Sequence, residues 1–174
     1  MLPSIGIPTG RLFTGDGACG SGDFLMAALH RAGFANLATS HRPDDGLQLK
    51  DAFIAAALRC APAANKPTPT EIREGLYHLD AEISALPRVV VTVALGKIAF
   101  DAFVHVLRRR GVVASRPTFA HGAVVDLPNG QTLVGCYHPS RQNTHTGRLT
   151  PPMADAVLEL VRRKLRRRSL PPSC

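Results

Sequence analysis

The sequence predicts an α/β protein, built as a three-layer α/β/α sandwich around a small, mostly parallel central sheet. Short apolar runs with the length of strands alternate with longer segments in which apolar residues recur at helical spacing. The run over residues 88–95 is apolar on both faces, which is typical of a central parallel strand. This alternation favours helices packed against a sheet. Because 174 residues suffice for one domain with a sizeable core, we expect a single domain over residues 1–174.

The first half of the chain is predicted to hold two strands and two helices. Residues 4–7 offer at best a short strand. A glycine-rich run then opens a helix over residues 24–32, and Gly33 ends it. Residues 53–58 are predicted as a buried strand. The next helix runs from about residue 70 to residue 85, and its core face would consist of Ile72, Leu76, Leu79 and Ile83.

The second half continues the alternation. The strand over residues 88–95 leads through Gly96 into a helix over residues 97–110. Residues 119–133 are predicted as a β-hairpin with an Asn-Gly turn, and its second strand would run on to His138. The last helix spans residue 153 to about residue 167, and a basic tail covers about residues 162–174. A solvated face is the favoured interpretation of that tail, ahead of a specific DNA contact.

The composition points to a globular protein with a polyanionic partner. The formal net charge is +8 and the pI is near 10.0, which favours DNA, RNA or a membrane surface, although many basic proteins bind none of them. The chain is 45% apolar, so it is not a disordered chain. No apolar run is long enough to cross a bilayer, and no basic-then-apolar signal segment follows Met1. We therefore expect a cytoplasmic protein.

The four cysteines give no indication of a metal site. No two of them have Cys-x-x-Cys spacing, and no cluster of Cys and His has the spacing of a zinc site. In a cytosolic chain, free thiols are the default. The spacing therefore predicts no metal.

A polar loop at the end of the last strand is the first candidate site. The loop starts at His138 because Pro139 cannot continue a β-ladder, and it carries Arg141, Asn143, His145 and Arg148. Ligands of open α/β sheets bind outside the carboxyl ends of the strands. The alternative is an ordinary polar loop between a strand and a helix, and the spacing alone does not decide between them.

Two motifs resemble the uracil-DNA glycosylase superfamily. The first is His-Pro-Ser-x-x-Asn at residues 138–143, followed by Thr-Gly-Arg-Leu-Thr at residues 146–150. The second is Thr-Gly-Arg-x-Phe-Thr-Gly-Asp at residues 9–16. The chain is most similar to the type-B branch, whose members have broad base specificity, and the resemblance covers roughly residues 9–160. It implies the same α/β/α fold.

The resemblance implies a set of catalytic and base-binding residues. Asp16 would be the catalytic carboxylate, and Phe13 would stack on the extruded base beside Gly15. His138 would donate to the pyrimidine O2 of the departing base. The remaining catalytic candidates are Asn65, which matches an active-site asparagine of the family, and Asn143. Without the resemblance, Asn65 reads as an ordinary turn residue.

The same resemblance implies a DNA-binding surface. Arg141, Gln142 and His145 are the candidates for a side chain that fills the gap left in the base stack. Lys66 and Lys97 would contact phosphates. The full set of predicted DNA-binding residues is Arg11, Lys66, Lys97, Ser140, Arg141, Gln142, His145 and Arg148.

The chain departs from the family at its cofactor and at its first motif. The family binds an iron–sulfur cluster through four cysteines, but here only Cys60 stands at a ligand position and Gly75 stands where the next ligand should be. One ligand cannot hold such a cluster, so we predict no cofactor. Most of the family's first strand and of its Gly-x-Ala-Pro-type loop is also missing before Thr9. Three explanations stay open: residues 4–7 supply a short substitute strand, neighbouring strands close the gap, or the natural protein is longer than this sequence. The expected base-recognition part of the site depends on which of them holds.

These features predict a monomeric DNA repair glycosylase that excises uracil from DNA by base flipping and releases free uracil. Two alternatives remain open. One is a protein that binds uracil or abasic DNA without turnover, as the shortened first motif suggests. The other is a nucleotide or phosphate-ester hydrolase that uses the glycine-rich loop at residues 15–22, although that loop lacks the lysine of a P-loop.

Overall fold

The computed structural model describes residues 21–42, 44–56 and 69–169. These residues form five helices and three strands. The elements, in chain order, are α1 (Ser21–Arg31), α2 (Pro69–Ala85), β1 (Val91–Leu95), α3 (Lys97–Arg109), β2 (Val124–Asp126), β3 (Thr132–Cys136), α4 (Arg141–His145) and α5 (Pro151–Ser169). The chain divides into two compact units. The first unit takes the residues up to 53 together with 138–159, and the second takes residues 54–137 together with those from 160 onward.

The sheet lies in the second unit and has the strand order β1-β3-β2. β1 and β3 are parallel, with register partners from Val91↔Thr132 to Leu95↔Cys136. β2 is antiparallel to β3, and the two form the predicted hairpin around the turn at Gly130, which has a φ of 79°. All five residues of β3 are buried, as its apolar sequence predicts. The predicted α/β fold with a small, mostly parallel sheet is therefore confirmed.

Two helices bury their apolar faces in the second unit. α3 packs against β1, and Phe100 and Leu133 in the resulting core are completely buried. The core cluster consists of Ala94, Phe100, Phe103, Val104, Leu107, Leu127 and Leu133. α2 packs on α3 through Leu76 and Leu79, two of the residues predicted for its core face. Arg110 secures the same helix pair by donating to Asp80 and to Ser84.

The first unit contains α1, α4 and the residues of α5 up to Glu159. α1 ends at Arg31, and Gly33, the predicted terminating residue, lies in the turn that follows with a φ of 74°. Arg31 in its last turn donates to the Asp155 carboxylate of α5 at distances of 2.8–3.1 Å. The loop after α1 is held by Asp45, which accepts backbone N–H groups from His41 and Leu47. Desolvation opposes ionisation of Asp45, but hydrogen bonds from the Ser40 side chain and from these backbone N–H groups outweigh it and lower the pKa of Asp45 to about 2.

Several predicted boundaries are wrong. The predicted strand over residues 53–58 does not form over residues 53–56, its described part, and Phe53 is 41% exposed. Its run of alanines has little preference for a strand. The strand expected to reach His138 ends at Cys136, and beyond it the Tyr137 N–H donates to a side chain, the Nδ1 of His121.

Other differences are smaller. β1 begins at Val91, three residues after its predicted start, and α5 begins at Pro151. The predicted strand at residues 4–7 lies outside the described residues. None of the helices that the structure describes is both long and apolar enough to cross a membrane.

Candidate active-site loop

The candidate loop follows the carboxyl end of β3. β1 ends beside β3 at the same edge of the sheet, and the Gly96 N–H after β1 donates to the Cys136 carbonyl at 2.7 Å. Gly96 has a φ of 93°, which a glycine adopts without strain, and this turn starts α3. His138 comes two residues after Cys136. The loop thus follows β3, a strand that is parallel to its neighbour β1, in the chain.

His138 combines an exposed side chain with a fixed main chain. The Asn143 side chain donates from Nδ2 to the His138 carbonyl at 2.8 Å, and Pro139 after it is fully buried. Neighbouring protein atoms partly desolvate the imidazole, and this desolvation lowers the pKa of His138 below its ordinary value of 6.5. The shift favours the neutral imidazole, which has one ring N–H to donate.

A short helix that the sequence did not predict holds Asn143 in place. Ser140 is the N-cap of α4, and its hydroxyl accepts the Asn143 N–H at 3.4 Å. The Asn143 carbonyl accepts the Leu149 N–H at 2.9 Å, and Leu149 is buried. Asn143 is therefore tied through its N–H, its carbonyl and its side chain, so the loop has one defined conformation around His138.

The polar side chains of α4 face solvent. No residue of α4 is buried, and Arg141, Gln142 and His145 are exposed, as is Arg148 after it. Gly147 turns the chain between them with a φ of 71°. The predicted DNA-binding residues of this loop thus lie together on one exposed segment.

Lys97 lies in the second unit, at the start of α3. Its side chain is exposed and forms an ion pair with Asp101, one helical turn later. The same Asp101 oxygen pairs with Arg116 at 3.2 Å. An i,i+4 Lys–Asp pair is visible in the sequence, whereas the approach of Arg116 depends on the tertiary fold. Asp101 and Arg116 were missed by the sequence reasoning.

A scan against protein-family models matches residues 4–162 to the "Uracil DNA glycosylase superfamily". The chain belongs to this superfamily. The match includes the candidate loop and the glycine-rich segment that suggested the resemblance.

Curated relatives in the superfamily are similar over most of this chain. A Thermus thermophilus protein named "Type-5 uracil-DNA glycosylase" is 46% identical over 155 residues, which cover 89% of this chain and 68% of the relative. A Mycobacterium leprae protein of the same name is 50% identical over 153 residues, 86% of this chain and 63% of the relative. A third, from Pyrobaculum aerophilum, is 38% identical. The chain thus spans roughly two thirds of the length of these relatives, whose names say type-5 and not type-B.

Six predicted site residues of the superfamily pattern lie outside the described residues. They belong to the glycine-rich segment and to the second loop, and they are Arg11, Phe13, Gly15, Asp16, Asn65 and Lys66. Their roles remain predictions.

The superfamily's four-cysteine iron–sulfur cluster does not fit the residues that the structure describes. Gly75, which stands where a ligand is expected, is a buried residue of α2 and has no side chain to offer. Cys136 is buried in β3, and burial raises the pKa of its thiol to about 11, so it is not a ready thiolate ligand. Over residues 21–42, 44–56 and 69–169, no group of three or more His, Cys, Asp or Glu is placed to hold a metal.

Proposed function

We propose that this chain is a uracil-DNA glycosylase, which hydrolyses the N-glycosidic bond of uracil in DNA and leaves an abasic site. The observation that carries the proposal is the state of His138. This residue of the superfamily motif presents an exposed imidazole from a backbone that Asn143 holds through its carbonyl, and desolvation lowers the pKa of that imidazole. The longer relatives bear the name of this activity.

The reaction explains why a neutral imidazole is suitable. As the glycosidic bond breaks, negative charge develops on the departing uracil, at its O2. A positioned N–H donor stabilises that charge in the same way as an oxyanion hole. Desolvation lowers the pKa of His138 and so favours the neutral imidazole, which keeps one ring N–H that can donate to the uracil O2. Asn143 acts on His138 by holding its carbonyl.

The sugar develops positive charge in the same step. We assign its stabilisation, and the orientation of the attacking water, to the carboxylate of Asp16. Phe13 stacks on the extruded base beside Gly15, a contact worth about 1–3 kcal/mol in comparable proteins. Asn65 positions the base or the water. These assignments rest on the resemblance of the two N-terminal motifs.

Uracil inside a duplex is out of reach, so the nucleotide must leave the stack at a cost of a few kcal/mol. The net charge of +8 favours binding of the DNA backbone. In the first unit, Arg141, Gln142, His145 and Arg148 are exposed on the segment that follows His138, where they are available to phosphates or to the gap in the stack. Ser140, Lys97, Arg11 and Lys66 complete the proposed set.

The finer points of the function are also proposals. The resemblance to the type-B branch implies that bases other than uracil are excised. We further propose that the chain acts as one glycosylase domain, as a monomer and in the cytoplasm.

The test is cleavage of a duplex oligonucleotide that contains one uracil, measured as strand scission after alkali, with EDTA present. We expect scission by the parent and a loss of at least about 100-fold in the Asp16→Ala and His138→Ala variants. His105→Ala, at an exposed histidine of α3, is the matched control and should cleave like the parent. Tight binding to uracil or abasic DNA without scission would instead establish a damage-binding protein.

A further inference from the structure

His121 has a specific contact beside the candidate loop. Its Nδ1 accepts the backbone N–H of Tyr137 at 3.2 Å. Its ring also stacks on the Tyr137 ring, with a centroid distance of 4.9 Å and an interplanar angle of 28°. The residue after Tyr137 in the chain is His138. One histidine thus holds both the main chain and the side chain of the residue that precedes the proposed base-contacting histidine.

The position of His121 relative to β3 is fixed by backbone contacts. The Gly122 N–H donates to the Gly135 carbonyl at 2.8 Å, and the Gly135 N–H donates to the Ala123 carbonyl at 2.9 Å. A Cβ at Gly135 would overlap the Ala120 carbonyl oxygen, so only glycine permits this approach. The segment over residues 119–123 is therefore held against the end of β3, and His121 with it.

A row of rings connects this segment to the core. Phe100, which is completely buried, makes an edge contact with Phe119 at a centroid distance of 5.5 Å. Phe119 in turn lies 6.2 Å from the Tyr137 ring. Tyr137 thus contacts the rings of both Phe119 and His121. Through Phe119, the residue that leads into the loop is packed against the core of the second unit.

We propose that His121 is a positioning residue for His138. It accepts the Tyr137 N–H just beyond the end of β3 and so sets the peptide plane from which the chain enters His138. This inference rests on the proposed function, in which the imidazole of His138 must be aimed at the departing base. Sub-ångström placement matters for such a group, since a misplacement of about 1 Å costs on the order of 100-fold in rate.

The two contacts of His121 can be separated by substitution. His121→Phe keeps a ring for stacking on Tyr137 and removes the acceptor. His121→Asn keeps an acceptor near the position of Nδ1 and removes the ring. His121→Leu has the branching of Asn without the acceptor, so the Asn and Leu variants differ in little but that hydrogen bond. His105→Phe is the matched control at an exposed histidine of α3.

The proposal predicts an ordered result for excision of uracil by the full chain. We expect kcat to fall about 10- to 100-fold in the Phe and Leu variants, with KM within about 3-fold of the parent. The Asn variant should recover kcat to within about 5-fold, and His105→Phe should match the parent. Parental kcat in the Leu or Phe variant would overturn the proposal. Equal losses in Asn and Leu, with equal falls in melting temperature, would also overturn it, since they would indicate packing alone.

A second readout does not depend on catalysis. The ring resonances of His138 and the amide resonance of Tyr137 are followed by NMR in the parent and in the Asn and Leu variants. The proposal predicts that the Leu variant shifts both and that the Asn variant restores them. If the parent does not excise uracil, the proposed function fails while this comparison still decides the role of His121. Unshifted His138 resonances in the Leu variant would overturn it.

Discussion

Asn143 donates a hydrogen bond of 2.8 Å from its side-chain Nδ2 to the backbone carbonyl of His138, five residues earlier. This bond closes the loop between β3 and α4, and it fixes the main chain on the far side of His138. The expectation that Asn143 belongs to the catalytic set acquires a physical basis from this geometry. Its donor group holds the residue that we propose as the contact to the departing base.

Removing the Asn143 donor should lower kcat by about 10- to 100-fold, because His138 would no longer be held in one position. Asn143→Leu removes the donor with little change in shape. Asn143→Asp replaces it with an acceptor that repels the His138 carbonyl. Both variants should fold with melting temperatures close to that of the parent and lose activity in single-turnover excision. An Asp variant with full activity would show that the donor has no role.

As the pH is lowered, the kcat/KM for excision should begin to fall only below the ordinary histidine pKa. Desolvation lowers the pKa of His138 from 6.5, so the neutral donor persists as the pH falls through 6.5. We expect kcat/KM on a uracil-containing duplex to be held at pH 6.5 and to fall only in more acidic buffer. An acid limb with an apparent pKa above 6.5 would contradict the neutral role assigned to His138.

The same shift makes a prediction about stability. A group whose folded pKa lies below its unfolded pKa binds more protons in the unfolded state, so stability decreases as the pH falls below the unfolded value. The contribution of His138 is thus lost progressively below about pH 6.5. His138→Gln should unfold with a weaker pH dependence than the parent in this range, as followed by urea denaturation. An identical dependence in both proteins would assign the effect to other groups.

Gly135→Ala should destabilise the protein by about 1–3 kcal/mol, because a Cβ there overlaps the Ala120 carbonyl oxygen and the backbone must move. The measurement is urea denaturation followed by far-UV circular dichroism. Gly130→Asn is the control, since Asn tolerates the left-handed φ of 79° and nothing lies within 4 Å of a Cβ at that turn. Equal stability of Gly135→Ala and the parent would contradict the close approach.

Lys97 should strengthen DNA binding through one electrostatic contact to a phosphate, which the salt dependence of the affinity can detect. If Lys97 contacts a phosphate, Lys97→Gln should reduce the slope of log K against log salt by about 1, equally on damaged and undamaged duplexes. Asp101→Asn removes the carboxylate that pairs with Lys97 and Arg116, and it should tighten binding at low salt. An unchanged slope in Lys97→Gln, measured by fluorescence anisotropy, would remove Lys97 from the interface.

The sequence predicted the elements whose signal is local. The apolar run of β3 with its Asn-Gly turn, and the helical periodicity of α2 and α3, agree with the structure to within a few residues. The predicted strand over residues 53–58 failed in its described part because alanines specify no partner strand, and pairing is not a local property. α4 has five residues, too few to show a helical period, so the sequence did not predict it.

At the candidate site, the sequence likewise predicted which residues lie in the loop but not their tertiary contacts. The motif placed His138, Ser140 and Asn143 in one loop, and the structure brings them together. The motif alone could not show what the side chains of these residues contact. His121 lies 16 residues before Tyr137, and the hairpin register alone determines that they meet. No spacing rule identifies such a contact in advance.

The most direct test of the central claim is the identity of the product released from uracil-containing DNA. A duplex with an isotopically labelled uracil nucleotide is incubated with the protein, and the small-molecule fraction is resolved by chromatography and mass spectrometry. We predict free uracil as the only labelled product, with the DNA strand continuous until alkali is added. Release of the labelled nucleotide, or no release under conditions where the protein binds the duplex, would contradict the assignment as a glycosylase.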